Sequence, residues 1–487
     1  MDTIGRYNRK YSLTGWILLL VLFLPPIVLL IYNGYGAVPA LFTDMAFLRQ
    51  TGLFLARACA CTLAALILAI PGIVIYSGCR PAFRKLLRVL LSFGFCFPPV
   101  LMGMGFDSLF GTGGFIADLA LDPVLRSAAI SLMLNIPLFI VMVGEHCMTM
   151  DISRGQCALS LGASGARIFF SITLPKVMPA LIGTAALVIL RNMAGMENEI
   201  ISLLLSLPVL AVLAVCDRKR NEIELSSGHS DARFGKGNAF IVFLSFIYMI
   251  AAVSLLLGPA VALALRSVLT EGGVSFSIYA SLFSALNLDW LVGLAFSVAA
   301  AVAASLIGSF ISVRVSVGIA SSDSNPFMAL LPFAAGPAVL AAGLRVLYLW
   351  LPQTVAVKMA LTVVCYILLF VPVQTMIILH AVRRIPMTLR GTSLSLGFTN
   401  GSSFRHIDLR LVAVHIRSAL FTTIAVGLCS YGVAESLGLD TVFAQALRSY
   451  EKGDVRTACA VGTVILILGF ILFAAGIGHT REVKRYV

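Results

Sequence analysis

The sequence predicts an all-α polytopic membrane protein with about twelve transmembrane helices in two repeated halves. Three observations carry this. Of 487 residues, 59% are hydrophobic and only 12% charged, about half the charge of a typical soluble domain, and the mean hydropathy is +0.99. Apolar runs near the roughly 20 residues needed to cross a bilayer recur at 16–33, 53–76, 87–106, 126–146, 177–195, 199–216, 239–265, 290–313, 328–350, 357–380, 412–433 and 456–478. Finally, a polar stretch inside the first half returns in register inside the second. The expected organisation is a first half over 1–216, a cytoplasmic linker over 217–238 and a second half over 239–487.

The first run follows the basic flank Arg9-Lys10 and carries Pro25-Pro26. No small-residue cleavage site precedes it, so it reads as an uncleaved anchor. The second run ends at a basic turn from Arg80 to Arg88. The third contains Phe97-Pro98-Pro99-Val100 and ends at Gly105. Its counterpart 238 residues on is Gly336-Pro337-Ala338-Val339, ending at Gly343. Phe110 to Phe115 form a Gly-rich turn without the Lys and Ser/Thr of a phosphate loop. The fourth run carries Asn135 and Pro137, and the fifth carries Arg191 and Asn192. From Pro175 to Cys216 is 41 residues, against 68 from Arg410 to Gly478. The last two helices of the first half therefore have almost no outer loop, or one fails to span. Residues 217–238 are polar and lack periodicity. In the second half, Glu435 to Arg456 is amphipathic and leads to the final run.

The net charge of +13 reports orientation. The segments before 15, 77–88, 147–178, 217–238, Arg314, 382–417 and after 479 hold 25 of the 35 basic residues. By the positive-inside bias, this places both termini and both polar loops in the cytoplasm, and nucleic-acid binding is not expected. The ten cysteines are mostly in apolar runs and form no CxxC pair, so no metal site is expected.

The stretch Gln156 to Pro175 sets Gly162 ten residues before Ile-Thr-Leu-Pro. At an offset of 235, Leu394-Ser395-Leu396-Gly397 repeats Leu159-Ser160-Leu161-Gly162. Phe404, Ile407 and Leu409 repeat Phe169, Ile172 and Leu174, and Pro372 repeats Pro137. Repetition of this length marks a duplicated transporter half. Ala158, Leu159 and Leu161 form one apolar set before the glycine, while Phe169, Ile172 and Leu174 form a second. Gly162 can end a helix because it tolerates positive φ, and Pro175 is expected to start the next membrane helix. Such a knob suits a helix-in-groove contact with a soluble partner.

The spacing G-x9-I-x-L-P resembles the EAA loop of ABC-transporter importer permeases, EAA-x3-G-x9-I-x-L-P. Gln156, Cys157 and Ala158 stand at the triplet of the first loop, and Gly391, Thr392 and Ser393 at that of the second, where Arg410 replaces the proline. The acidic residue usual in the helix after each loop is replaced by Gly195 and Ser430. The resemblance implies a permease subunit in the bacterial inner membrane that couples through Ala158, Gly162, Ile172, Leu174, Pro175, Gly397, Ile407 and Leu409 to two copies of a cytoplasmic ATPase subunit. A substrate-binding protein, periplasmic or lipid-anchored, is the other implied partner, and membrane lipid surrounds the chain. The chain carries no P-loop, so ATP is expected on the partner, with no cofactor or enzymatic activity here.

Two fused halves in one chain resemble thiamine and ferric-iron import systems, and LNIPLF and ALRSYEKGDVRTACAVG resemble thiamine permeases. The implied cargo is thiamine or its phosphates, with ferric iron as the alternative. A secondary transporter is the rival class, but it usually places carboxylates deep in the bundle, and none sits mid-run here. Candidate pathway residues are Asn135, Pro137, Arg191, Asn192 and Arg345.

Overall fold

The computed structural model describes residues 2–34, 43–111, 114–116, 121–149, 153–193, 199–226, 239–270, 273–283, 288–322, 326–385, 387–430 and 433–478. Helices dominate them, as expected when backbone polar groups must be satisfied within a bilayer. Eleven are long and apolar enough to cross a membrane, and a bent pair brings the number to twelve if it counts as one crossing. The all-α polytopic expectation therefore stands. The chain is a multi-pass membrane protein.

In chain order, α1 is Asp2–Gly34, α2 Met45–Gly78, α3 Pro81–Ser92 and α4 Pro99–Phe110. Between α3 and α4 the axis turns by 103°. The cause is Pro98-Pro99. A residue before proline is pushed out of the helical region, and Pro98 accordingly sits extended at φ −66, ψ 130. Helix α5 is Pro123–Thr149, α6 Leu174–Met193 and α7 Glu199–Ser226. The candidate spans Phe169–Met193 and Ile200–Arg220 are 25 and 21 residues. Both are long enough to cross, so the short end of the first half loses no span.

Residues 217–226, expected in a linker without periodicity, instead extend α7. Asp-Arg-Lys-Arg-Asn-Glu-Ile-Glu-Leu contains no Gly or Pro and several strong helix formers, so the helix propagates past its apolar part. The rest of that linker, 227–238, lies outside the described residues.

Helix α8 is Ala239–Val268, followed by a two-residue pairing of Leu269–Thr270 with Gly273–Val274. Then come α9 Leu288–Ser322, α10 Phe327–Tyr348, α11 Val355–Arg383, α12 Leu409–Leu428 and α13 Val455–Gly478. Helix α10 is kinked at Gly336, whose φ 69 and ψ 169 only glycine adopts readily. The Pro98-Pro99 break and the Gly336-Pro337 break stand 238 residues apart, as the sequence pairs them.

The chain packs as two units. One holds the described parts of 1–45, 196–207 and 267–487; the other holds those of 46–195 and 208–266. In the first unit α1 packs on α9 and α10, and α9, α11 and α12 pack on one another. In the second, α5 packs on α3, α4 and α6. The first helix of each sequence half thus lies with residues of the other half. Its footing is similar each time. The α1 carbonyl of Pro26 occupies the space where a side chain on Gly343 of α10 would sit. The α8 carbonyl of Pro259 does the same at Gly105 of α4. Both pairs bring backbone against backbone, which only glycine permits. Outward, Ile17, Val21 and Val28 of α1 and Phe243, Phe246 and Ile250 of α8 are exposed, a surface suited to lipid tails.

Candidate functional site: two glycine turns and a buried polar cluster

The first loop starts with a short helix, Ser153–Ser160, and Gly162 ends it at φ 82. The Gly162 N–H donates to Leu159 O at 2.9 Å, and the Ala163 N–H donates to Ala158 O at 3.0 Å. This is the Schellman arrangement, in which a left-handed residue lets the last carbonyls find donors. In the second loop, helix Met387–Ser395 ends at Gly397 with φ 85. There the Phe398 N–H donates to Ser393 O at 3.1 Å. Neither glycine has any atom within 4 Å of a would-be Cβ, so the requirement is for φ alone.

Both turns present a leucine to solvent. Leu161 is 86% exposed and Leu396 77%. Leu159, Phe169 and Phe170 extend the apolar surface of the first loop, and Leu389 and Phe398 that of the second.

After each turn the chain winds one short helix, Gly165–Ile168 or Asn400–Ser403, and then a π turn at Phe169–Thr173 or Phe404–Asp408. Helix α6 or α12 continues from there without a break. Ile172 and Ile407 lie within the π turns, Leu174 and Leu409 just after them, and all four are half-buried. Pro175 does not open a free helix end, because helical structure begins ten residues earlier. In an unbroken α-helix it would lose a bond to Ser171 and crowd that carbonyl; the π turn relaxes the ladder there. Arg410 occupies the same place after an identical turn, so proline is not what makes the turn.

The loops differ in how they are tied. In the second, the hydroxyls of Ser393 and Ser403 lie 2.7 Å apart and link its two arms. The first has Ala158 in place of Ser393. Its base is closed lower down, where the buried His146 Nε2 lies 3.0 Å from Lys176 O. Beside it, Arg88 donates to Glu145 through Nε at 2.8 Å and Nη2 at 2.6 Å, and the Tyr76 hydroxyl donates to the same carboxylate.

Two of the five expected pathway residues, Asn135 and Asn192, meet, and a third, Arg191, precedes Asn192 on the same helix. Asn135 of α5 is almost fully buried and its amide donates to Ser131 Oγ at 3.0 Å and to Asn192 Oδ1 of α6 at 3.5 Å. Ser131 Oγ also donates to Asn192 Oδ1, at 3.2 Å. The neighbouring Arg191 reaches the break before α4, where its Nη2 donates to Phe97 O at 3.3 Å. Ser131 and the Phe97 carbonyl escaped the sequence reading; the i−4 spacing of Ser131 from Asn135 was the available signal. Pro137 is buried in α5 next to the cluster but contributes no polar atom. Arg345 belongs to the other packing unit and is exposed near the end of α10, where a long side chain reaches polar surroundings easily. Gly195 lies outside the described residues.

Among the described residues, Arg191 Nη1, Asn192 Nδ2 and Asn135 Oδ1 are shut off from solvent and have no hydrogen-bond partner. Among the described residues, no three His, Cys, Asp or Glu side chains gather as a metal site would need. No family model, curated protein or solved structure matches the chain.

Proposed function

We propose that this chain is the membrane-spanning subunit of an ATP-driven importer, with two cytoplasmic loops that dock two copies of a separate ATPase subunit. One observation carries the reading. Loops 235 residues apart share a left-handed glycine turn, an exposed leucine just before it and a π turn leading into a long apolar helix. An exposed leucine on a rigid turn is what a groove on a soluble partner would bind. Two such knobs on one chain call for a partner present twice. ATP-driven movement of that partner would then bias an inward–outward equilibrium of the helices. The charge distribution supports placing both loops, and both termini, on the cytoplasmic side of a bacterial inner membrane. The resemblance to thiamine permeases supports thiamine or its phosphates as cargo, delivered by a binding protein.

Single cysteines at Ala163 and Phe398 should each crosslink to the co-expressed ATPase subunit, the first more strongly because its loop keeps more of the motif. Absence of crosslinks at both positions would overturn the docking. Uptake of labelled thiamine should fall in cells lacking this gene. Loss of iron uptake with thiamine uptake intact would transfer the assignment to ferric iron.

A further inference from the structure

We infer that Arg191, Asn192 and Asn135 form a binding site for an oxyanion, a phosphate or carboxylate carried by the transported molecule together with a hydrogen-bond donor. This deepens the importer reading and rests on it for the word transported. The first argument is charge. Arg191 holds its guanidinium within a membrane-length helix, with a carbonyl as its acceptor and no carboxylate partner among the described residues. Its Nη2 reaches Phe97 O just ahead of α4, a twelve-residue half-helix in which Pro98 and Pro99 have no N–H, the Val100 and Leu101 N–H groups have no intrahelical acceptor, and the dipole is positive at this end. Two positive sources therefore meet. An anion between them relieves an arrangement that is otherwise unfavourable.

The second argument is the inventory of unpaired atoms. Among the described residues, Nη1 of Arg191 and Nδ2 of Asn192 are donors without an acceptor, and Oδ1 of Asn135 is an acceptor without a donor. Buried polar groups are seldom left unpaired, because each costs the water it gave up. Two donors suit the oxygens of a phosphate or carboxylate. The lone acceptor asks for an O–H or N–H on the same ligand.

The third argument is that the fold does not need these residues. The positions 235 residues on from Ser131, Asn135, Arg191 and Asn192 are Tyr366, Phe370, Val426 and Gly427. In the other packing unit, those residues build an apolar version of the same junction. Tyr366 stacks on Phe370 with ring centroids 5.5 Å apart, and a Cβ on Gly427 would come within 2.8 Å of Phe370. That unit has a polar network of its own at another level, where Gln374 donates to Thr423 Oγ1 at 2.8 Å and to Ser305 O at 3.1 Å and accepts from Ser312. Its amide is satisfied on both sides. Unlike Gln374, Arg191, Asn192 and Asn135 each keep an atom unpaired among the described residues, and the unpaired Nη1 belongs to a charged group.

The test uses the full-length chain in nanodiscs of phosphatidylcholine, with no ATPase present, so that its outcome is independent of loop docking. Equilibrium dialysis is run with thiamine monophosphate, thiamine and citrate. Saturable binding of thiamine monophosphate or citrate is expected, with thiamine at least about tenfold weaker, since it lacks the group that meets the guanidinium. Arg191→Met should weaken the oxyanion by about tenfold or more, and Arg191→Lys should restore part of it. The triple variant N135F/R191V/N192G copies the apolar junction of the other unit. It should keep the parent's unfolding temperature and lose binding. The inference is overturned if neither oxyanion saturates, if thiamine matches its phosphate, or if R191M binds as the parent does. Displacement by added phosphatidylglycerol would assign the site to a lipid phosphate and overturn its assignment to cargo. Loss of binding in R191M with Ala163 and Phe398 crosslinks intact would separate this site from the docking proposal, and the reverse result would separate them the other way.

Discussion

Replacing Gly162 by valine isolates the turn from everything around it. No atom lies within 4 Å of the added Cβ, so the substitution meets no clash and removes no packing. What changes is the backbone. At φ 82 an L-residue pays roughly 1–2 kcal/mol, and β-branching makes the left-handed region less accessible still. A cost of that size alters a local equilibrium by a factor of about 5–30. Hydrogen–deuterium exchange of the purified chain reads it directly. The Ala163 amide, held to Ala158 O in the parent, should exchange about 5–30 times faster in Gly162→Val. Global unfolding should be unchanged, since the turn is exposed. The control is Gly165→Ala, at a glycine with the same open surroundings and no positive φ, which should leave the exchange as it is. On the importer reading, G162V should also weaken the crosslink from the first loop while the chain reaches the membrane normally. Parent-like exchange in G162V would refute the conformational argument. Parent-like crosslinking with fast exchange would refute only its link to docking.

Gly105→Ala and Gly343→Ala should each lower the unfolding temperature in detergent, by an overpacking cost of about 1–3 kcal/mol. The carbonyls of Pro259 and Pro26 cannot yield as a flexible side chain would, whereas Gly52→Ala, with nothing within 4 Å, should be neutral. Glu145→Ala removes the acceptor shared by Arg88 and Tyr76 and should destabilise by about 1–3 kcal/mol, read by thermal unfolding. Burial pushes the Cys79 thiol above its ordinary range, while Arg84 pulls it partly back. Alkylation of Cys79, followed by mass spectrometry, should therefore still be rising above the usual thiol range, and Arg84→Met should shift its profile to higher pH.

Much of the fold was legible in one dimension. Hydropathy located the spans because a bilayer demands about 20 apolar residues from each helix. The glycines 162 and 397 announced left-handed turns, since a helix before a polar break commonly ends on such a residue. The Pro98-Pro99 pair and the Gly336-Pro337 pair, each placed inside a single apolar run, are where the structure breaks or kinks the helix, since a residue before proline is pushed out of the helical region. Polarity alone misled at 217–226, where good helix formers continue α7 beyond its apolar part.

Tertiary structure decided what local chemistry could not. Two glycines, 105 and 343, admit the carbonyls of Pro259 and Pro26, and this close approach seats α8 and α1 in their units; nothing near those prolines in sequence names the partner. The same holds for the polar residues. Asn135, Arg191 and Arg345 look alike on a hydropathy plot, but the first two lie in one packing unit, while Arg345 stands exposed on the other. The sequence by itself determined which segments are apolar enough to span and which glycines end the loop helices, because those depend on neighbours along the chain. The pairing of helices and the unpaired atoms of the Arg191 cluster depend on the fit of side chains far apart in sequence, so only the packed molecule could reveal them.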